Sequence, residues 1–203
     1  METPKPVAKP GDFSALVLEP KTAEQVAADI RSKALTAEEV TQGYLDRIAA
    51  VDDGGPTLNA VLALNPKALE DAKALDTATA QGISKGPLHG VPVLLKDNID
   101  AIGMPTTAGS LALADNMAER DSPLVARLRA AGAVILGKTN LSEWANFRSN
   151  SSTSGWSGVG GQTKNPHVLD RNPCGSSSGS GAAVAAGLAA FAIGTETDGS
   201  IVC

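Results

Sequence analysis

The sequence predicts an α/β protein with a largely parallel central sheet, on three observations. An apolar strand, Val91 to Leu95, precedes a helix opened by Ser122-Pro123, and a second apolar strand, Ala133 to Leu136, follows it. Strand–helix–strand order implies a parallel pair joined by a right-handed crossover. Two capping boxes, Thr22-Ala23-Glu24-Gln25 and Thr36-Ala37-Glu38-Glu39, open amphipathic helices ahead of that unit. Finally, a chain of 203 residues, 42% of them hydrophobic, can bury a real core beneath such layers.

From the N-terminus, Met1 to Pro10 holds three prolines and no apolar h-region, so residues 1–20 read as a flexible arm and not as a signal peptide. The first helix then puts Val26 and Ile30 on one face. The second carries Val40, Tyr44, Ile48 and Val51 at helical spacing and stops at Gly54-Gly55-Pro56. Leu58 to Leu64 reads as a short strand. Asn65-Pro66 reads as an N-cap with proline at the first helical position, opening a helix through Leu69, Ala72 and Leu75 to about Ala80. Gly86 to Gly90 is a turn before the strand Val91 to Leu95. The helix from Ser122 carries Leu124, Val125 and Leu128 and ends at Gly132. Ser142 to Gly161, rich in Ser, Asn and Gly, reads as loop, with Trp144, Asn146, Phe147 and Trp156 as pocket wall or core.

The chemistry concentrates between Cys174 and Ser200. Cys174-Gly-Ser-Ser-Ser-Gly-Ser-Gly181 has four hydroxyls and three glycines in eight residues, which is not a core composition. Glycine lets backbone N–H groups face a ligand, and serine hydroxyls can relay protons. A small-residue helix and an apolar stretch lead to a second turn, Gly194-Thr-Glu-Thr-Asp-Gly-Ser200, so two serine turns can face each other across one pocket. Lys96 stands at the end of an apolar strand, where open α/β sheets place their binding crevice. Each feature also has a plain reading. Lys96 can snorkel to water, Ser176 to Ser180 can cap the next helix, and Asp198-Gly199 is a common turn. The Gly/Ser loop can also be read as a phosphate cradle, but it lacks the Gly-Lys-Ser/Thr ending. His89 and His167 are the only histidines, and neither adjoins a Gly-x-Ser-x-Gly motif. They and two cysteines do not have zinc-site spacing.

Taken together, the Cys174–Ser200 stretch, Val93-Leu-Leu-Lys96-Asp97-Asn98 and Lys138-Thr-Asn-Leu-Ser142-Glu-Trp-Ala-Asn-Phe147 resemble the amidase signature family of serine hydrolases, in wording nearest its peptide amidases. The resemblance spans about Thr22 to the end. It implies α/β/α layers around a mixed, largely parallel sheet. It implies a Ser–cis-Ser–Lys triad: Ser200 as nucleophile, Ser176 as relay behind a cis Gly175–Ser176 bond, and Lys96 as base. The backbone N–H groups of Thr197, Asp198, Gly199 and Ser200 would form an oxyanion hole. Where Asp198 stands the family more often has glycine. The implied reaction is hydrolysis of a carboxamide, foremost a peptide C-terminal amide, through an acyl-enzyme, with no metal or cofactor. Two other readings follow: the amidase subunit of a tRNA-dependent amidotransferase, and an inactive fragment. Family members are longer, so residues 21–203 read as the N-terminal part of a catalytic domain without its C-terminal part.

Net charge is −5, and aromatics are 3%, which argues against a nucleic-acid partner. No apolar run approaches the ~20 residues of a membrane span. The partner that the resemblance implies is a small amide or peptide-amide substrate, bound by a monomer. Cys174 and Cys203 do not make a disulfide framework. The compartment stays open between cytoplasm and a secreted or periplasmic form whose signal has been removed.

Overall fold

In a computed structural model of the chain, residues 21–203 are described; the expected N-terminal arm lies outside them. Both capping boxes form. Thr22 Oγ1 accepts from Gln25 N–H at 3.2 Å and Gln25 Oε1 from Thr22 N–H at 2.8 Å, opening α1 (Ala23–Arg31). Thr36 and Glu39 do the same for α2 (Ala37–Arg47). The pattern continues past α2 as wider helical turns, Ile48–Asp53, and stops at Gly54.

β1 (Val61–Leu64) is shorter than the expected strand from Leu58. Thr57 and Asn59 adopt left-handed backbone angles, and the buried Asp52 carboxylate takes the N–H groups of Ala60 and Val61 at 2.7 and 2.9 Å. Those N–H groups are therefore lost to any ladder. The next helix, α3 (Ala68–Ala80), starts later than expected, with Lys67 at its N-cap. Asn65 serves both the turn before that helix and the sheet: its Oδ1 accepts from Lys67 N–H at 3.0 Å, as a cap would, while its amide donates to Ile135 O at 2.8 Å.

β2 (Pro92–Lys96) and β3 (Val134–Thr139) flank α4 (Pro123–Ala130), which opens as expected with Ser122 as N-cap and proline at the first position. The stretch expected as loop holds a small hairpin, β4 (Trp156–Ser157) and β5 (Gly161–Gln162). α5 (Ser178–Ala185) and β6 (Phe191–Ile193) follow. Beyond β6, Ser200 to Cys203 form a turn, closed by Cys203 N–H on Gly199 O at 2.9 Å.

The main sheet has the order β1-β3-β2-β6. β2 lies parallel to both β3 and β6, and only β1 is antiparallel. Strand alternation sends Leu94, Val134 and Leu136 into a core with α1, α2, α3 and α5. Val93, Leu95 and Ile135 go the other way, against Val125 and Leu128 of α4. The result is the α/β/α layering that the sequence predicts.

One irregularity matters for the site. The β2–β3 register slips between Val93 and Leu94, so that Leu94 pairs with Gly137, Leu95 with Lys138, and Lys96 with Thr139. An extra residue in one strand inverts which face the following side chains take. The slip turns Lys138 toward the α4 face and leaves Lys96 on the α5 face. Glycine suits the slip, because a Cβ at position 137 would collide with Ala63 O of β1. On the α4 side Lys138 Nζ meets Asp97 Oδ1 at 2.7 Å and Pro105 O at 2.9 Å, and Asp97 Oδ2 accepts from Thr107 N–H and Oγ1. Burial pushes the Lys138 ammonium below its usual range, and Asp97 opposes that shift.

Both partners are essentially inaccessible, at 0% and 2% side-chain exposure. Removing one leaves the other charge buried and unpaired, a loss of about 3–5 kcal/mol. Lys138→Met should therefore lower the urea midpoint of the full chain substantially, and adding Asp97→Asn should recover part of that loss. A single variant as stable as wild type would contradict a structural ion pair.

Candidate active site

The site is assembled where β2, β3 and β6 end beneath the start of α5. Gly179 lets α5 approach. Its N–H donates to Asn140 O at 2.9 Å, and a Cβ there would strike the backbone of Ala60 and Asn140. Asn140, just past β3, is a hub. Its side-chain amide donates to Asn59 O, Gly161 O and Thr163 Oγ1, and its Oδ1 accepts from Leu141 N–H and Ser157 Oγ. Ser180 Oγ, one turn into α5, donates to Ile193 O of β6 at 3.0 Å and lies 2.8 Å from Thr139 Oγ1. Ser142, fully buried, holds the turn before α5: its N–H donates to Ser176 O at 3.1 Å and its Oγ accepts from Gly155 N–H at 2.9 Å.

Within this frame the three separated sequence motifs converge. Lys96 Nζ lies 2.8 Å from Ser176 Oγ, and Ser176 Oγ lies 3.0 Å from Ser200 Oγ. The Gly175–Ser176 peptide is cis. Lys96 also reaches Ser177 Oγ at 3.1 Å and Thr195 O at 3.0 Å. Ser177 is committed in turn: its Oγ donates to Thr195 O and accepts from Thr195 N–H, both at 3.1 Å. Asn98 braces the same residue through Thr195 Oγ1 at 2.9 Å. Lys96 is wholly buried with no carboxylate among its hydrogen-bond partners. Burial pushes its ammonium down from 10.5 to about 8.

The turn bearing Ser200 continues from Thr195. Ser177 N–H donates to Ser200 O at 3.0 Å. Glu196, to which the sequence assigns no part, accepts from Ile201 N–H at 2.6 Å, Val202 N–H at 2.9 Å and Gly199 N–H at 3.3 Å. These bonds draw its carboxyl below the usual range, Val202 foremost. Of the expected oxyanion donors, Gly199 N–H thus already has a partner. Those of Thr197, Asp198 and Ser200 have none among the described residues.

The cysteine expectation is overturned. Cys174 and Cys203 form a disulfide, because the fold brings their turns together across the site; a sequence separation of 29 conceals that. Both cysteines line a cavity of about 280 Å³ with Gly175, Ser177, Ser200 and His167. His167 shares that cavity but hydrogen-bonds to no serine; its N–H donates to Asn165 Oδ1. His89 lies apart. Its Nδ1 accepts from Lys85 N–H at 3.0 Å, which puts its proton on Nε2, facing Leu75 O and Thr79 Oγ1. Asn146 and Trp156 line a second cavity of about 430 Å³ with Glu143, Arg148 and Gln162. Phe147, expected as pocket wall or core, is 76% exposed.

A buried lysine bonded to a serine, with a second serine beyond it and no histidine, on a mixed α/β sheet, defines a narrow class of site. A family model described as Amidase matches residues 39–203, and the chain belongs to the amidase signature family. It superposes on the native peptide amidase of Stenotrophomonas maltophilia with a TM-score of 0.90 and 56% identity, covering 93% of this chain and 38% of that one. An amidase family protein of Bacillus anthracis gives 0.86 at 43% identity, covering 94% and 38%. A glutamyl-tRNA(Gln) amidotransferase subunit of Acidothermus cellulolyticus is 48% identical over 89% of this chain and 34% of its own length. The chain thus spans little more than a third of these relatives.

The depressed lysine has a stability consequence. The unfolded chain binds the Lys96 proton up to 10.5 and the folded chain only up to about 8. The charged, buried group therefore costs about 3 kcal/mol below pH 8, and the cost fades as pH rises toward the unfolded value. Wild type should gain on Lys96→Met in urea midpoint between pH 7 and pH 9.5. Parallel pH–stability curves would show that Lys96 is not depressed.

Proposed function

We propose that this chain carries the acyl-transfer centre of an amidase: R–CO–NH2 plus water gives R–COOH plus ammonia. The observation that carries the reading is the unbroken line from Lys96 Nζ through Ser176 Oγ to Ser200 Oγ, at 2.8 and 3.0 Å. Proton inventory gives it a direction. A neutral amine has two N–H donors and one lone pair. Thr195 O can only accept, and the Ser177 hydrogen is already directed at Thr195 O. The two amine hydrogens serve those partners, so the lone pair is left facing Ser176.

Ser176 then gives its proton to Lys96 and takes one from Ser200 as Ser200 Oγ attacks the carbonyl. The oxyanion rests on backbone N–H groups of the 197–200 turn, each such donor contributing about 3–4 kcal/mol in comparable sites. The proton returns along the same line to the departing ammonia. Water, deprotonated by the same relay, opens the acyl-enzyme and frees Ser200.

The substrate proposed is a peptide C-terminal amide, on the 56% identity to a peptide amidase. A second reading, in which the protein passes ammonia to a partner within an amidotransferase, is favoured by the 48% identity to one component of such an enzyme. Ammonia release from peptide amides by the isolated full chain supports the first. A stable complex, with ammonia production only in the partner's presence, supports the second.

Two outcomes test the relay. Ser200→Ala should abolish fluorophosphonate labelling, and Lys96→Arg, which cannot deprotonate, should lose nearly all hydrolysis; an adduct mapped to Ser176 or Ser180 would reverse the assigned roles. In wild type, kcat/KM should rise with pH and level off above about 8, because the neutral amine is the working form and only about a tenth of it exists at pH 7. Activity that falls across that range would exclude lysine as base.

A further inference from the structure

We infer that the Cys174–Cys203 disulfide is a positioning clasp: it holds the turn bearing Ser200 against the turn bearing Ser176, and a dithiol that opens it lowers the reaction rate. The inference rests on the proposed Lys96–Ser176–Ser200 relay. The bond joins the residue two before Ser176 to the residue three after Ser200, with the two Cα atoms 5.9 Å apart. It therefore encloses both hydroxyls of the relay.

The two turns are not equally held. The Ser176 turn is pinned on several sides. Cys174 N–H donates to Asn172 Oδ1 at 2.9 Å, Ser178 Oγ donates to Cys174 O at 2.6 Å, and Ser142 N–H donates to Ser176 O. Gly175 is packed so closely against Ser142 and Ser178 that no Cβ would fit. Cys174 itself stands at φ +63, a left-handed angle that a non-glycine residue keeps only where its neighbours impose it.

The Ser200 turn is fixed at its start, where Thr195 bonds to Ser177, Lys96 and Asn98. Beyond Thr195, Glu196, Thr197 and Asp198 are exposed, Ile201 is 58% exposed and Val202 83%. Its carboxylate brace, Glu196, belongs to the same turn and does not tie it to the rest of the chain. Past Thr195, the hydrogen bonds that join it to the Ser176 turn among the described residues are Ser177 N–H to Ser200 O and the hydroxyl pair. The disulfide adds a covalent tie between the two turns, on the far side of Ser200. Both cysteines line the cavity that contains Ser200, so a small dithiol can reach them.

The exchange balances simply. One thiolate of the dithiol attacks a cystine sulfur and the S–S bond breaks. The second thiolate resolves the mixed disulfide. The protein gains two electrons and two protons as two thiols, and the dithiol leaves as a cyclic disulfide. No base or nucleophile of the relay is altered. What changes is the placement of Ser200 Oγ, and ångström-scale misplacement costs up to about 100-fold in rate.

The test uses the full chain, oxidised or reduced with dithiothreitol, and a Cys174→Ser/Cys203→Ser variant. Reduction should slow both fluorophosphonate labelling of Ser200 and ammonia release by about tenfold or more. The fall should lie in kcat more than in KM, with the near-UV circular dichroism retained and the pH at which activity levels off unmoved. Reoxidation should restore the rate, and the double variant should run at the reduced rate and ignore dithiothreitol. Labelling unchanged by reduction would overturn the clasp. So would a loss that tracks collapse of the near-UV spectrum, or a double variant that still responds. Oxidised protein that never labels at Ser200 would instead sink the relay reading.

Discussion

The structure depends on keeping one ammonium out of water without a counter-ion. Lys96 is fully buried, and its polar neighbours are two hydroxyls and a carbonyl. A carboxylate in their place would stabilise the charged form and remove the lone pair. The chain must therefore supply enough hydrogen bonds to make burial tolerable while supplying no negative charge. Small residues make that possible. Gly175 and Gly179 let the serine turn close over the strand end, and serine hydroxyls occupy the space that larger polar groups would fill.

That constraint makes the neighbouring residue a hazard, because an acid follows directly. Strand alternation puts Asp97 on the face opposite Lys96, and the register slip at Gly137 brings Lys138 to the same side. Asp97 is thus neutralised by Lys138 and anchored by Thr107, away from the relay. Two buried lysines on adjacent strands end up with different electrostatics: one paired, one unpaired. The slip separates them. Without it, Lys138 would project beside Lys96, where a second ammonium would add repulsion and Asp97 would lack its partner.

How much of this is legible in the sequence differs by residue. The capped helices α1, α2 and α4 and the parallel pair of β2 and β3 can be read because caps and apolar runs act locally. Lys96, Ser176 and Ser200 can be picked out because three motifs recur in one order, not because composition reveals a base or a nucleophile. Asn65 is half legible: its local pattern gives the bond to Lys67 N–H, and only the fold offers it Ile135 O. The Asp97–Lys138 pair cannot be read at all: it depends on a slip of one residue between strands, and one residue decides which face a side chain takes. The disulfide escapes for a similar reason. Two cysteines at that spacing carry no distance until α5 and β6 return the chain to its own starting turn.

The division of labour between the two serine turns follows from where each sits. The Ser176 turn opens a helix and is wedged between β3 and the Ser142 segment, so its hydroxyl has one address. The Ser200 turn leaves β6, and its Thr197, Asp198 and Ser200 N–H groups have no partner among the described residues. Unpaired donors are what the proposed oxyanion needs, and they leave the turn with few bonds of its own. Glu196 answers part of that by gathering three N–H groups of its own loop into a fixed shape. It gives the turn form without location. Location comes from its neighbours: Thr195 at its start, and Ser177 and the Cys174–Cys203 bond beyond. In the proposed relay, the buried lysine and the distant serine are thus joined by short links through one middle turn.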